Sequence, residues 1–192
     1  MRRHTLCAWD DKRWRREGTL KDHEGTQLMR ALSSDDIRGS FVNATDEQLE
    51  RMPLPGLHEM LWDEREYLGW RDPRASQRGY LVHWRDETPV GIILRASEFS
   101  LEHGISAMCS LCRIAQPSSQ VTLFTAPRAG QAGLDGNTVG TYICDDLGCS
   151  MLIRILPSPS AMQPPPEQIL ARRSASLLER VDGFIDSVMK SA

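Results

Sequence analysis

Two rhythms of apolar and polar residues divide this chain. Short alternating or apolar runs suited to strands occur at Tyr80-Leu81-Val82-His83-Trp84 and Val90-Gly91-Ile92-Ile93-Leu94, and again at Val121-Thr122-Leu123-Phe124-Thr125 and Thr138-Val139-Gly140-Thr141-Tyr142-Ile143. The first two, with a turn over 85–89, predict a hairpin that must pack on something, because two strands alone are marginal. The last two are joined by a connection carrying Gly130, Gly133 and Gly136, read as a hairpin turn. Helical spacing appears elsewhere. Ser33-Ser34-Asp35-Asp36 sets a capping hydroxyl before first-turn acids and predicts a helix through Ile37, Phe41 and Val42. Thr45 to Met52 predicts a second short helix, stopped by Pro53 and Pro55. Residues 56–73 form a third unit with Leu57, Leu61, Trp62, Tyr67, Leu68 and Trp70 as core positions, closed by a turn at 69–73. Leu147, Met151, Leu152 and Ile155 recur at helical spacing after Cys144.

The C-terminal part is organised differently. Residues 157–166 hold five of the eleven prolines and read as a stiff linker. Beyond them, 167–190 reads as an amphipathic helix with Leu177, Leu178, Val181, Phe184, Ile185 and Val188 on its apolar stripe. Such a stripe suits the chain's own core or, alternatively, an interface with a partner or with a second copy in a homodimer. Residues 1–28 lack sustained periodicity and read as a disordered extension, which places the ordered domain at 29–156. The predicted class is α+β, with two short N-terminal helices, a β-hairpin, a compact module at 108–156 and the C-terminal helix.

Composition narrows the function. The chain of 192 residues is 40% hydrophobic and 26% charged with net charge −3, ordinary values for a globular protein. No apolar run approaches the roughly 18 residues a membrane span requires, and the polar N-terminus is no secretory signal, so a cytoplasmic protein is expected. Window 108–156 holds three basic and three acidic residues, without the positive excess that phosphate binding demands. Residues 31–72 hold four basic and ten acidic side chains, a block read as a solvated face or as one that steers toward a basic surface. No Walker A, GxSxG or HExxH pattern occurs, and no nucleophile is paired with a base, so an enzyme is not expected.

The cysteines carry the most specific signal. Of five, Cys7 stands alone, and four form two close pairs: Cys109-Ser110-Leu111-Cys112 and Cys144-Asp145-Asp146-Leu147-Gly148-Cys149. In a reducing compartment a metal explains such pairs better than disulfides do. Zinc takes four thiolates in a tetrahedron, leaving no open position for catalysis. A CxxC turn forms a knuckle whose N–H groups face the sulfurs, and the second pair suits the mouth of a helix, with Cys144 just before the first turn and Cys149 within it. Knuckle, hairpin and helix, with ligands from the knuckle and the helix start, make a treble clef at 108–156 holding one structural Zn2+ per chain. The alternatives are two chance pairs of buried thiols or a redox CxxC, which would not need the second pair.

The stretch Met108-Cys109-Ser110-Leu111-Cys112, followed by Gly136-Asn137-Thr138-Val139-Gly140-Thr141-Tyr142-Ile143-Cys144-Asp145-Asp146-Leu147-Gly148-Cys149-Ser150, resembles the C-terminal treble-clef zinc finger of elongation factor G-binding proteins, the family that includes the fusidic-acid resistance proteins. Leu68-Gly69-Trp70-Arg71-Asp72-Pro73 resembles the short actinobacterial members. The resemblance covers 33–156 and implies Cys109, Cys112, Cys144 and Cys149 as metal ligands. It also implies binding to elongation factor G, free or on the ribosome, with release of the factor. Arg and aromatic side chains dominate binding hot spots, so Arg113, Phe124, Arg128, Tyr142 and Arg154 are the candidate partner contacts. The alternative function is a treble-clef finger that binds RNA or other nucleic acid.

Overall fold

The computed structural model describes residues 28–99, 101, 104–158, 160 and 162–190. The expected extension over 1–28, with Cys7, lies outside them except for its last residue. The first strand, β1 (Leu68–Asp72), buries Leu68, Trp70 and Asp72 on alternate positions and pairs antiparallel with β2 (Ala75–Arg85). The turn expected at 69–73 is therefore strand up to Asp72, and the reversal is made just beyond, where the Asp72 carboxylate accepts the Arg74 N–H at 2.8 Å. What decides the strand is a partner distant in sequence: Trp70 lies opposite Tyr80, with the rings stacked at 5.0 Å.

Strand β2 turns into β3 (Thr88–Ala96) with Arg85 opposite Thr88, so only Asp86 and Glu87 make the turn predicted over 85–89. Asp86 takes φ of 52°, the left-handed conformation a two-residue hairpin turn requires and Asp tolerates. A small ribbon of β4 (Ser106–Met108) and β5 (Ala115–Pro117) follows, then β6 (Val121–Pro127) and β7 (Thr138–Cys144). The main sheet has the order β1-β2-β3-β6-β7 and is antiparallel throughout. The glycine-rich connection between β6 and β7 is not a plain turn. It holds a one-turn helix, α3 (Gln131–Leu134), between Gly130 and Gly136, both at positive φ. These helical and strand elements confirm the α+β class.

Both faces of the sheet are covered. On one, Met29, Leu32, Ile37 and Met52 cover Leu68, Trp70, Tyr80, Val82 and Ile93. This layer contains the two predicted helices, α1 (Ser34–Gly39) and α2 (Asp46–Glu50), each opened by a reciprocal capping box, Ser33 with Asp36 and Thr45 with Gln48. Leu61, expected in the core, is 59% exposed, because residues 57–64 form two separate 3-10 turns rather than one amphipathic element. On the other face, Leu81, Ile92, Leu94, Phe124 and Ile143 meet the cysteine region, the short α4 (Cys149–Leu152) and the long α5 (Pro166–Met189). Burial of β2 and β3 on both sides explains why their sequences run apolar rather than alternating.

Helix α5 docks on its own chain. Leu177, Val181, Phe184, Ile185 and Val188 are buried in the sheet's second core, so the stripe that suited either destination is taken by the intramolecular one. Polar contacts fix its position. The Arg128 guanidinium donates to the Ser187 and Lys190 carbonyls at 2.7 and 3.1 Å, supplying cations and donors where the helix ends. Arg173 reaches the carbonyls of Ile153 and Ile155 beyond α4, and Arg180 reaches the Leu111 carbonyl between the first two cysteines. His83, buried beneath α5, has Nδ1 at 3.1 Å from the Glu66 carbonyl and Nε2 at 3.4 Å from the Asp182 carboxylate; burial holds its pKa below the ordinary value.

Candidate metal centre

The β4–β5 ribbon exists to present a turn. Cys109, Ser110, Leu111 and Cys112 make its tip. Arg113, at φ of 60°, reverses the chain and donates its N–H to the Cys109 carbonyl at 3.0 Å. That geometry aims the N–H groups of Leu111 and Cys112 at Cys109 Sγ, at 3.3 and 3.5 Å. The second pair arrives from the main sheet. Cys144 is the last residue of β7, residues 145–148 form a loop, and Cys149 is the first residue of α4. Cys144 thus ends a strand instead of standing just ahead of a helical turn, and the helix is four residues long. Loop turns, not a helix N-terminus, bring the two sulfurs together: Leu147 takes φ of 59° and donates to the Cys144 carbonyl, and Gly148 donates to the Asp146 carboxylate.

The four sulfurs converge. Cys109 Sγ lies 3.6 Å from Cys149 Sγ, Cys112 Sγ 3.6 Å from Cys144 Sγ, and Cys144 Sγ 3.4 Å from Cys149 Sγ. All four lie within 4.8 Å of one another, and the residues are buried. Disulfides, at about 2.05 Å, are excluded by these separations. A tetrahedral zinc with Zn–S of about 2.3 Å has S···S edges of about 3.8 Å, close to the spacing found. Hydrogen bonds among the four thiols hold Cys109 far below the ordinary range and, together with burial, push Cys144 and Cys149 far above it. Four thiolates packed this closely need a divalent charge among them. With four protein ligands and no open position, such a centre can hold a fold together and cannot activate water.

The loop between Cys144 and Cys149 is braced from β1. The Arg71 guanidinium donates to the Asp145 carbonyl at 2.7 Å and to its carboxylate at 3.0 Å, and Thr122 Oγ1 donates to that same carboxylate at 2.7 Å. Tyr67, fully buried, donates its hydroxyl to the Leu147 carbonyl at 2.8 Å; burial first, then the nearby sulfurs, push its pKa well up. Gly69 lets this strand approach: a Cβ there would sit 2.6 Å from the Leu147 carbonyl oxygen and 2.8 Å from Leu147 Cβ. Gly69→Ala should therefore cost about 2 kcal/mol by overpacking against backbone. Urea unfolding checks this, with Gly39→Ala, whose added Cβ meets nothing within 4 Å, as the control.

The five expected partner contacts separate into two groups. Arg113 and Tyr142 are exposed beside the knuckle, where Ser110 N–H donates to the Tyr142 carbonyl at 2.8 Å. Phe124 is completely buried, with the Arg71 guanidinium 5.1 Å above its ring, so it presents nothing to a partner. Arg128 is engaged by the end of α5. Arg154 is held by the buried Glu66 carboxylate at 2.9 and 3.0 Å and by the Ser150 carbonyl. Three side chains that matter to the site carried no spacing signal. Gln116 places Nε2 3.2 Å from Cys144 Sγ, Arg71 holds the loop, and Glu66 joins Arg154 to Ser174 of α5. Only Arg71 was within reach of sequence reading, inside the Leu68–Pro73 stretch.

Comparison with known proteins agrees with this architecture. The model of the FBP C-terminal treble-clef zinc-finger family matches residues 36–188, a span that includes α5. Among curated proteins, none matches the chain. Among solved structures, that of the fusidic acid resistance protein FusC superposes with a TM-score of 0.55 at 18% identity, covering 85% of this chain and 61% of that one. The likeness is one of fold, and the chain spans less than two thirds of that protein's length.

Proposed function

The chain belongs to the FBP C-terminal treble-clef zinc-finger family, and from that premise we propose that it is a zinc-stabilised binding protein that docks on translation elongation factor G in the cytoplasm and promotes its release from the ribosome. One zinc ion per chain, held by Cys109, Cys112, Cys144 and Cys149, has a structural role. The observation that carries the reading is the cluster of four buried sulfurs at tetrahedral spacing, on a frame shared with a fusidic acid resistance protein. The sequence resemblance to elongation factor G-binding proteins supplies the partner. No helix among the described residues is long and apolar enough to cross a membrane. Residues 29–156 and α5 form the proposed binding unit, joined by the proline-rich segment 157–166.

The docking face is the outer side of the knuckle, with the exposed Arg113 and Tyr142 and with Met108, next to Cys109 in the chain and 54% exposed. Calorimetric titration of the zinc-loaded protein with purified elongation factor G tests the proposal. Tyr142→Ala and Arg113→Ala should each weaken binding about tenfold, within the range of interface hot spots. Melting temperature and zinc content should stay unchanged. A fully metallated protein that ignores the factor sinks the reading. Affinity for RNA that collapses with rising salt would favour the nucleic-acid alternative instead.

A further inference from the structure

We propose that Gln116 is a positioning residue for the metal: its side-chain amide donates to the Cys144 thiolate and thereby raises the affinity of the four-sulfur site for zinc. The inference rests on the zinc reading above. Gln116 sits in the middle of β5, opposite Ala107, and is 9% exposed. Its Nε2 lies 3.2 Å from Cys144 Sγ. It therefore projects from the ribbon that carries Cys109 and Cys112 to a sulfur of the other pair, and one side chain spans both halves of the centre.

The two pairs of cysteines are solvated differently by the protein. Cys109 Sγ accepts from two backbone N–H groups, a direct result of the knuckle's turn. Cys144 lies at the end of a strand, where the backbone is committed to the ladder with Val121, and among the described residues the nitrogen donor that reaches its sulfur is the Gln116 side chain. Four thiolates on one divalent ion leave a formal charge of about −2 in a buried site. A buried negative charge is costly unless donors share it, and groups outside the ligand shell commonly set metal affinity by 10- to 100-fold. The amide orientation follows from the same charge: turned over, the carbonyl oxygen of Gln116 would face a thiolate.

The test compares the zinc-loaded full chain with two variants of nearly the same side-chain shape. Gln116→Met keeps length and volume but donates nothing; Gln116→Glu keeps the shape and puts a negative charge beside the sulfur. Zinc affinity is read by competition with a chromogenic chelator, and the sulfurs are probed by the thiolate-to-metal charge-transfer bands of the cobalt(II) form. The expected order of affinity is wild type, then Met, then Glu, with the Met variant 10- to 100-fold weaker. Loss of the N–H donor should shift the charge-transfer band to lower energy, a change that altered packing alone would not produce. Variants that hold zinc within twofold of wild type, or unshifted cobalt bands, overturn the inference and leave the zinc reading standing. If Gln116→Met does not fold, a Glu variant as tight as wild type overturns it alone. A wild-type chain that takes up neither zinc nor cobalt overturns both.

Discussion

Cys144→Ser, or removal of zinc by a strong chelator, is expected to abolish the cooperative melting transition of the region from β4 to α5, not merely to lower its midpoint. The magnitude follows from comparing two quantities. Structural zinc binding contributes an apparent free energy on the order of 10 kcal/mol or more, whereas a whole domain of this size is stable by about 5–15 kcal/mol. Beside the metal, the knuckle and the end of β7 are tied by the Ser110 N–H to the Tyr142 carbonyl and by the Gln116 amide to Cys144 Sγ. Leu111, Cys109, Cys112, Cys144, Leu147 and Cys149 are themselves part of the second hydrophobic core, so losing their arrangement opens that core to water. Helix α5 should loosen as well, because Arg180 is anchored on the Leu111 carbonyl within the knuckle and Arg173 on the carbonyls beyond α4. Calorimetric melting with zinc content measured in parallel checks this. An unchanged melting curve in metal-free protein would remove the structural role of the site.

Arg154→Ala is expected to be the most damaging substitution outside the cysteines, at about 3–5 kcal/mol, the cost of leaving one member of a buried ion pair alone. Glu66 is wholly buried. Its carboxylate accepts from Arg154 and from Ser174 Oγ at 2.8 Å, its N–H donates to Ser150 Oγ at 3.1 Å, and its carbonyl faces His83 at 3.1 Å. One residue thus ties the strand entry to α4, α5 and β2. Removing Arg154 strands a carboxylate in the core, while Ser174→Ala removes one neutral donor and should cost about 1–3 kcal/mol. The paired change Glu66→Leu with Arg154→Met should recover part of the loss, since apolar replacements of similar volume spare the desolvation. Urea unfolding of the four proteins measures each step. An Arg154→Ala protein within 1 kcal/mol of wild type would show that the pair is solvated after all.

The same contacts explain which inferences from the chain alone hold. Strand and helix existence followed from local pattern: the capped starts at Ser33 and Thr45, the hairpin on either side of Asp86, and the amphipathic α5 all appear. Element ends did not follow. The β1 strand was hidden because a Gly-Trp-Arg-Asp-Pro run reads locally as a turn, and it is the antiparallel pairing with β2, with Trp70 stacked on Tyr80, that makes it a strand. Phe124, Arg128 and Arg154 have the chemistry of binding residues, and nothing in their spacing reveals that a guanidinium above Phe124, the helix end at Arg128 and the carboxylate at Arg154 already use them.

What this sequence determined by itself is which sulfurs of the metal centre form each close pair, because the spacings CxxC and CxxxxC each close through a short turn. The tertiary structure alone decided how that centre is embedded. Gln116 meets Cys144, Arg71 meets Asp145, and Glu66 joins Arg154 to Ser174 across separations of 28, 74, 88 and 108 residues. A local code cannot carry such meetings, because they depend on the sheet order and on where α5 comes to rest, and both are settled by burying apolar surface on two faces at once.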